Sequence, residues 1–302
     1  MKVFSVWKEK IYSFFPQFLV VFIQRMIRHR ITSVSAEIAY FLLLSIFPLL
    51  ICGVTLIGLF PIQTNAVLLG FQPYMPHKVF SLIEGLVDEI SGRKGTGILS
   101  LGLFIGLWFA SKGILAMVRS FNISYEVEKR RSYIKERFIA IVLTFILIFV
   151  IILSFFILIF GKQITSFLEH SFEITSSFLV EFSQLRHVIF GSVLFFLFII
   201  LFYFGPYVKL RVRDAIPGAL FTTIGWLVVS YGFSVYVDTY ANYTRIYGSL
   251  GGIILLILWF YITGFLVLTG GELNAYIYAS RHKMYQNLPK PIRCFMIKKK
   301  KK

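Results

Sequence analysis

Long apolar runs separated by short polar connections dominate the pattern along the chain. Six runs are long enough to cross a bilayer as helices, because a helix rises about 1.5 Å per residue and a hydrocarbon core is about 30 Å thick. The runs cover residues 38–60, 98–118, 138–160, 188–207, 215–236 and 250–271. The pattern predicts an all-α fold, a polytopic membrane protein whose six transmembrane helices form a domain of residues 36–280.

Three shorter segments also place apolar residues at helical spacing. Residues 11–23 are apolar, contain Pro16 and precede a run of arginines at 25, 28 and 30. Residues 1–35 are therefore predicted to be an interfacial amphipathic segment, with its arginines toward lipid phosphate. The connections 76–90 and 163–186 are predicted to contain short amphipathic helices that lie on, or cap, the outer end of the bundle.

The charges of the connections alternate along the chain. The N-terminal segment, the connections 119–137 and 208–214 and the C-terminal tail together hold 24 lysines and arginines, whereas the other three connections hold 6. Such an asymmetry predicts that the basic side, and with it both termini, faces the cytoplasm.

Composition agrees with the membrane class. The chain is 57% hydrophobic and 15% charged, against about 25% charged in soluble domains. The net charge of +17 invites a nucleic-acid hypothesis, but the basic residues follow the predicted membrane surface. Residues 281–302 form a basic cytoplasmic tail, and its terminal lysine run either binds anionic lipid or is simply solvated. Cys52 and Cys294 are too far apart to predict a disulfide.

Lys112 is the most informative polar residue within a predicted span. It lies 14 residues after the start of the second span, which places it about 21 Å deep. A charge at that depth is typical of a functional site with a partner, although a lysine stem can also extend its ammonium toward the headgroups. The candidate partners on the same predicted side are the carboxylates of Glu37, Asp214 and Glu272.

These three carboxylates have different local environments. Glu37 and Asp214 begin predicted spans, where the helix dipole favours a negative charge without any further role. Pro217 is accordingly predicted to lie in the first turn of the fifth span. Glu272 ends a span, where the dipole opposes its charge, so a cation or hydrogen-bond donor is expected beside it. Asn122 follows Lys112 toward the inner mouth of the bundle.

Pro48 lies near the middle of the first predicted span. It removes the amide that would bond the Leu44 carbonyl, so it predicts either a packing kink or a functional hinge. A neighbouring helix or the Ser45 hydroxyl is expected to satisfy the freed carbonyl. In the second span Gly102, Gly106 and Ala110 recur every four residues and predict a close helix contact.

Several motifs together resemble the YihY/BrkB family of bacterial inner-membrane proteins over about residues 20–280. They are Ala36–Phe41 with Ser45–Pro48, Trp108 with Ser111–Gly113, Asn122 with Tyr125, Arg213–Ala219, Tyr247–Gly252 with Trp259–Tyr261, and Gly271–Ala275. The resemblance implies a six-span protein of the cytoplasmic membrane without an agreed biochemical activity. Some members are linked by name to virulence or to the handling of envelope lipids.

Members of that family have also carried the label ribonuclease BN, which the residues do not favour. A metal-dependent ribonuclease needs clustered histidines and carboxylates, yet the five histidines stand alone in the sequence. No nucleotide-phosphate loop or RNA-binding platform is present either. No enzymatic activity, cofactor, metal or nucleic-acid partner is expected.

Two functions remain open from the sequence. The first is a transporter or lipid-translocating protein for an anionic, lipid-like substrate. In it Lys112 and Arg213 attract the headgroup, Glu37, Asp214 and Glu272 hold those cations, Asn122 lines the inner mouth and Pro48 lets the first span bend. The second is a non-transporting structural or partner-binding envelope protein whose charges tie helices together. The glycine faces serve either a homo-oligomer or internal packing.

Overall fold

The computed structural model describes residues 17–59, 80–81, 96–127, 132–150, 176–239 and 250–282. Within these ranges the chain is helical, without any β-strand, as the apolar runs predict. Seven helices of twelve residues or more are present: α1 (Gln17–Arg28), α2 (Ile31–Leu59), α3 (Thr96–Ser124), α4 (133–150), α5 (Ser176–Phe204), α6 (Val212–Thr239) and α7 (Leu250–Arg281).

Four of these helices contain a stretch long and apolar enough to cross a membrane, counted over the described residues. The stretches are Ile31–Leu49 in α2, Leu101–Ser124 in α3, Val212–Val237 in α6 and Gly251–Arg281 in α7, and α5 holds a shorter apolar stretch, Val188–Phe204. The predicted span 138–160 coincides with α4 up to residue 150 and continues outside the described residues. The count of six spans stays a prediction.

Helix α5 differs from the prediction at its start. The chain is one continuous helix from Ser176 to Phe204, so residues 176–186 are not a separate short helix in the preceding connection. That segment contains neither proline nor glycine, and nothing in it ends a helix. The rest of that connection, and the connection 76–90 apart from Phe80 and Ser81, lie outside the described residues.

Helix α7 lies at the centre of the described bundle, where it packs against α1, α2, α3 and α6. The contact between α2 and α3 is the most extensive, and it follows the predicted small residues. A Cβ on Gly106 would lie 2.7 Å from Leu49 Cγ, and one on Gly102 would lie 3.2 Å from the Pro48 carbonyl oxygen. The predicted close helix contact is thereby confirmed.

One end of the bundle is rich in polar side chains, and we call it the polar end. It is formed by α1, the C-terminal ends of α3, α5 and α7, and the N-terminal ends of α2, α4 and α6. The apolar core reaches it at Phe121, whose ring meets Phe202 edge-on at a centroid distance of 5.4 Å. Gly271 lets α7 approach this ring, because a Cβ there would lie 2.5 Å from it.

Both prolines lie inside helices, and the one in α6 corrects a sequence expectation. Helix α6 begins at Val212, so Pro217 lies inside the helix and not in its first turn. In α2 the hydroxyl of Ser45 donates to the Leu42 carbonyl at 2.8 Å and not to the carbonyl of Leu44 that Pro48 frees. A serine hydroxyl reaches the carbonyl three or four residues before it along a helix, which excludes its immediate neighbour.

Candidate functional site

Glu272, in the third turn from the C-terminal end of α7, is completely buried at 0% exposure. Arg25 Nε donates to its Oε1 at 2.5 Å, and His29 Nδ1 lies 2.8 Å from its Oε2. Burial of a lone carboxylate is costly, and two hydrogen-bonding partners offset that cost. The cation expected beside Glu272 is therefore Arg25, on α1.

The same arginine reaches a third helix. Arg25 Nη2 donates to the carbonyl of Ser124 at 2.6 Å, and Arg28 Nη2 donates to Glu126 at 2.9 Å. Arg25 Nη1 also lies 3.5 Å from the Glu126 carboxylate. Arg25, Arg28, His29, Glu126 and Glu272, here called the Glu272 cluster, thus join α1, α3 and α7.

The end of α3 has the geometry of a Schellman cap. Glu126 N–H donates to the Ile123 carbonyl and Val127 N–H donates to the Asn122 carbonyl, at 3.0 and 3.1 Å. Glu126 occupies the left-handed position with a φ of 52°, which glycine usually takes at such a cap. A glutamate there places a carboxylate within reach of Arg25 and Arg28.

Helix α1 departs from the predicted orientation of its arginines. Arg25 is buried against Glu272, and Arg28 points to Glu126, so neither is directed only toward lipid phosphate. The turn between α1 and α2 places Arg30 at a φ of 53° and leaves it exposed. On its other side α1 exposes Leu19, Ile23 and Ile27, at the four-residue spacing of an apolar stripe. Its interfacial location stays a prediction.

Tyr125 follows directly after α3 and is buried beside this cluster. Its ring meets Tyr278 of α7 edge-on at 5.6 Å, and its hydroxyl has no hydrogen-bond partner among the described residues. Burial raises the pKa of the Tyr125 phenol well above its usual range, and the negative charge of Asp214 adds to that shift. The phenol therefore stays protonated and keeps a proton to donate.

Asp214 makes two local contacts at the start of α6. Its Oδ2 accepts the Arg211 N–H at 3.0 Å, and its Oδ1 accepts from Arg281 Nη1 at 3.1 Å. The first contact is the backward half of a capping box, so the position at a helix start is confirmed. The second joins the start of α6 to the end of α7.

Asn274 completes the join between these two helices. Its Oδ1 accepts the Gly218 N–H at 2.6 Å, and its Nδ2 donates to the Ala215 carbonyl at 3.2 Å. A side-chain amide thus bonds the backbone of α6 next to Pro217, where the regular ladder lacks a donor. Close approach makes this possible, since a Cβ on Gly218 would lie 2.3 Å from the Gly270 carbonyl oxygen.

Lys112, on α3, takes part in none of the contacts described above, among the described residues. It is half-buried, and its ammonium lies 5.5 Å from the Phe41 ring centroid and 5.9 Å from that of Phe109. No carboxylate among the described residues forms an ion pair with it. Of its predicted partners, Glu272 pairs with Arg25, Asp214 pairs with Arg281, and Glu37 is exposed.

The structure therefore shows no ion pair between Lys112 and any of these three carboxylates, and their role in substrate binding stays a prediction. Helical geometry explains the result for Glu272, because α7 presents it toward α1 and the end of α3. Lys112 lies 12 residues, about 18 Å, before that end. The sequence gives the position of each residue along its own span, but not its distance from residues on other spans.

Arg213 and Asn122, the other two predicted binding residues, lie in different environments. Arg213 is exposed at the second position of α6. Asn122 is buried, and its Oδ1 accepts the Tyr207 N–H at 2.7 Å, so it holds the connection between α5 and α6. Its Nδ2 has no partner within the described residues. Lys112, Arg213 and Asn122 thus have no common contact among the described residues.

Two further cations join α3 to α4. Arg119 Nε lies 3.4 Å from the Glu136 carboxylate. The guanidinium of Arg137 lies over the indole of Trp108, 4.2 Å from the ring centroid. Trp108 is one helical turn before Lys112 on α3.

Sequence reasoning missed Arg25, His29, Arg137 and Asn274 as parts of these contacts. Asn274 stands two residues after Glu272 inside an apolar helix, and its depth is a signal that could have identified it. For Arg25 and His29 the amphipathic pattern favoured a lipid-facing position instead. In the described part of the chain, no three His, Cys, Asp or Glu side chains group as metal ligands would.

Comparison with known proteins agrees with the membrane fold. Residues 22–292 match the family described as virulence factor BrkB. A ribonuclease-like protein of Bacillus subtilis, YfkH, is 40% identical over 261 residues, which are 86% of this chain and 95% of the relative. No solved structure matches the chain.

More distant relatives are named as membrane proteins. A UPF0761 membrane protein of Pseudoalteromonas translucida is 26% identical over 90% of this chain and 91% of its own length. One from Aliivibrio salmonicida is 29% identical over 83% of this chain and 80% of its own length. With the family match covering most of the sequence and the apolar helices of the bundle, this chain is a membrane protein that belongs to the YihY/BrkB family.

Proposed function

We propose that the chain is a multi-pass protein of the bacterial cytoplasmic membrane that transports or translocates an anionic, lipid-like substrate. Both termini lie in the cytoplasm in this proposal. The observation that carries it is Lys112, a half-buried cation within an apolar helix that has no carboxylate partner among the described residues. The proposal includes no catalytic step, cofactor or nucleic-acid partner.

The argument rests on compensation of charge. A cation at membrane depth is costly, and such residues pair with a counterion or line a polar path. The rings of Phe41 and Phe109 attract the ammonium through their π faces, which compensates part of that cost. The acidic head of an amphiphile from the bilayer would supply the remaining negative charge.

Two other features fit a path for an anionic headgroup. Arg213 is exposed at the polar end, where basic residues attract anionic lipid at about 1 kcal/mol each. Pro48 lies two turns after Phe41 in α2, so a bend there would change the distance between that ring and Lys112. Movement of α2 against α3 is the proposed step that admits or releases the substrate.

The alternative of a structural or partner-binding membrane protein is favoured by a different observation. The Glu272 cluster and the Asp214–Arg281 pair join four helices at the polar end. In this function those contacts fix the shape of a surface that other envelope components recognise. Lys112 would then serve only to extend its ammonium toward the headgroups.

Native mass spectrometry of protein released from its own membrane tests the proposal, with wild type beside Lys112→Met. Selective retention of one anionic lipid class by the wild type, lost in the variant, supports a substrate site. Lys209→Met is the control, because Lys209 is an exposed lysine at the polar end. A leaflet-exchange assay in vesicles of the retained lipid follows. Identical bulk lipids on all three proteins would favour the structural alternative.

A further inference from the structure

We propose that Arg137 and Lys112 form one binding site for a lipid phosphate, with Trp108 between them and the acyl chain along α3. This inference rests on the proposed function and adds to it a second binding residue and the orientation of the lipid. The two cations come from different helices, α4 and α3.

Arg137 is held in an orientation that suits a phosphate. Its guanidinium lies over the Trp108 indole at 4.2 Å, and its Nη2 lies 3.5 Å from the Trp108 carbonyl oxygen. A planar guanidinium that stacks on an aromatic ring loses less side-chain entropy when it binds a second group. Its Nε is buried and has no hydrogen-bond partner among the described residues.

Within the described part of the chain, neither cation forms an ion pair with a carboxylate. The nearest acidic residue along α4, Glu136, is engaged with Arg119. For Lys112 and Arg137 the described residues offer only aromatic rings and one backbone carbonyl. Each cation therefore lacks a compensating negative charge among the described residues, and a bound phosphate would supply one to both.

The surface beside these cations matches the rest of an amphiphile. Three exposed residues lie on the same side of α3 at successive helical turns and lead to Lys112: Leu101, Phe104 and Trp108. Their side chains are 62%, 67% and 45% exposed, and the rings of Phe104 and Trp108 stack at 6.2 Å. Aromatic side chains favour the boundary between hydrocarbon and headgroup. The row thus changes from aliphatic to aromatic to cationic side chains. This order complements a phospholipid read from its acyl chain to its anionic phosphate.

A lipid phosphate and free phosphate share the chemistry that the cations recognise. We favour the lipid because an exposed apolar row leads directly to the cations, and free phosphate would leave that row without a function. A fatty-acid carboxylate could be bound by one cation alone. A phosphate presents several oxygens, which the guanidinium and the ammonium can contact together.

The test measures retention of phosphatidylglycerol by native mass spectrometry, after reconstitution in phosphatidylcholine vesicles that contain it. Arg137→Gln and Lys112→Met should each weaken retention about tenfold, the ratio that one charge-assisted hydrogen bond supplies. Lys209→Gln removes an exposed positive charge outside this site and should weaken retention less than either of those variants. Thermal unfolding of each variant shows whether it is folded. Arg137→Lys, which keeps the charge, and Trp108→Leu, which keeps both cations, should lie between wild type and Arg137→Gln.

The outcomes separate this inference from the proposed function. Loss of retention in Lys112→Met with full retention in Arg137→Gln would overturn the two-cation site and leave the proposed function standing. Equal retention by wild type and all variants would overturn both. A third arm replaces the lipid with inorganic phosphate. If phosphate binds in an Arg137-dependent manner and phosphatidylglycerol does not compete, the site takes free anions and the lipid assignment is wrong.

Discussion

Glu272 and Arg25 are the pair of residues on which the polar end depends most. Both are buried, and removal of one partner from a buried ion pair leaves an uncompensated charge. We expect Glu272→Gln to lower the free energy of unfolding by about 3–5 kcal/mol, measured as thermal unfolding in detergent micelles. The double variant Arg25→Met/Glu272→Leu should recover most of that loss, because two apolar side chains replace two charges.

Glu136→Gln is the matched control for this prediction. Glu136 also pairs with an arginine, but the side chain of Arg119 is half exposed, and such a pair contributes about 0–1 kcal/mol. An equal loss of stability in Glu272→Gln and Glu136→Gln would contradict a dominant role for the Glu272 cluster. Failure of the double variant to recover would show that the cluster holds the fold by its geometry and not by its charge balance.

At the residue scale, depth within a span predicted which side chains needed partners but not which partners they found. Glu272 is predicted to need a cation because the sixth apolar run ends beside it, although α7 continues to Arg281. Arg25 could not be identified, since the direction of α1 depends on the turn at Arg30, which has a positive φ that non-glycine residues rarely adopt. The charges of Lys112, Arg119 and Arg137 were visible, whereas their distances depend on how α3 and α4 cross.

The contact between α6 and α7 depends on the absence of a side chain at Gly218. A Cβ there would lie 2.3 Å from the Gly270 carbonyl oxygen, a backbone atom that cannot rotate away. We expect Gly218→Ala to separate the helices, weaken the Asn274 contacts and destabilise the protein by about 1–3 kcal/mol. Thermal unfolding of the purified variant in detergent provides the measurement.

Gly232 offers a control in the same helix. A Cβ at this position would have no atom within 4 Å, so Gly232→Ala should raise stability by about 0.4–1 kcal/mol through the reduced entropy of the unfolded chain. Opposite signs for the two variants are the expected result. Destabilisation by both would mean that glycine is needed throughout α6 for reasons other than the contact with α7.

At the scale of the helices, the sequence predicted best those features that depend on a single property, such as hydrophobicity or side-chain size. Apolar runs located α2, α3, α6 and α7, and the small residues of α3 located its contact with α2. Helix ends were less predictable. Helices α2, α5 and α6 each begin several residues before the apolar run, since a helix continues into polar sequence until a cap or a breaker ends it.

For the whole molecule, the basic segments of the sequence and the polar side chains of the structure lie at the same end of the bundle. The four segments with 24 of the lysines and arginines are the N-terminal segment, the two connections 119–137 and 208–214, and the tail. Their described parts meet at the polar end, where they include Arg25, Arg119, Arg213 and Arg281. The positive-inside rule predicts that this end faces the cytoplasm.

The two native cysteines provide the test of that orientation. Cys52 lies within the first predicted span and Cys294 in the basic tail. A membrane-impermeant maleimide should label Cys294 in inverted membrane vesicles and not in intact cells. His170→Cys in a Cys294→Ser background should show the opposite pattern, because His170 is predicted to lie in a connection on the other side of the membrane. Labelling of Cys294 from outside intact cells would invert the topology, and Lys112 would then lie nearer the outer leaflet. The lipid that reaches Lys112 and Arg137 would in that case come from the outer leaflet, so this result also decides from which side the proposed substrate enters.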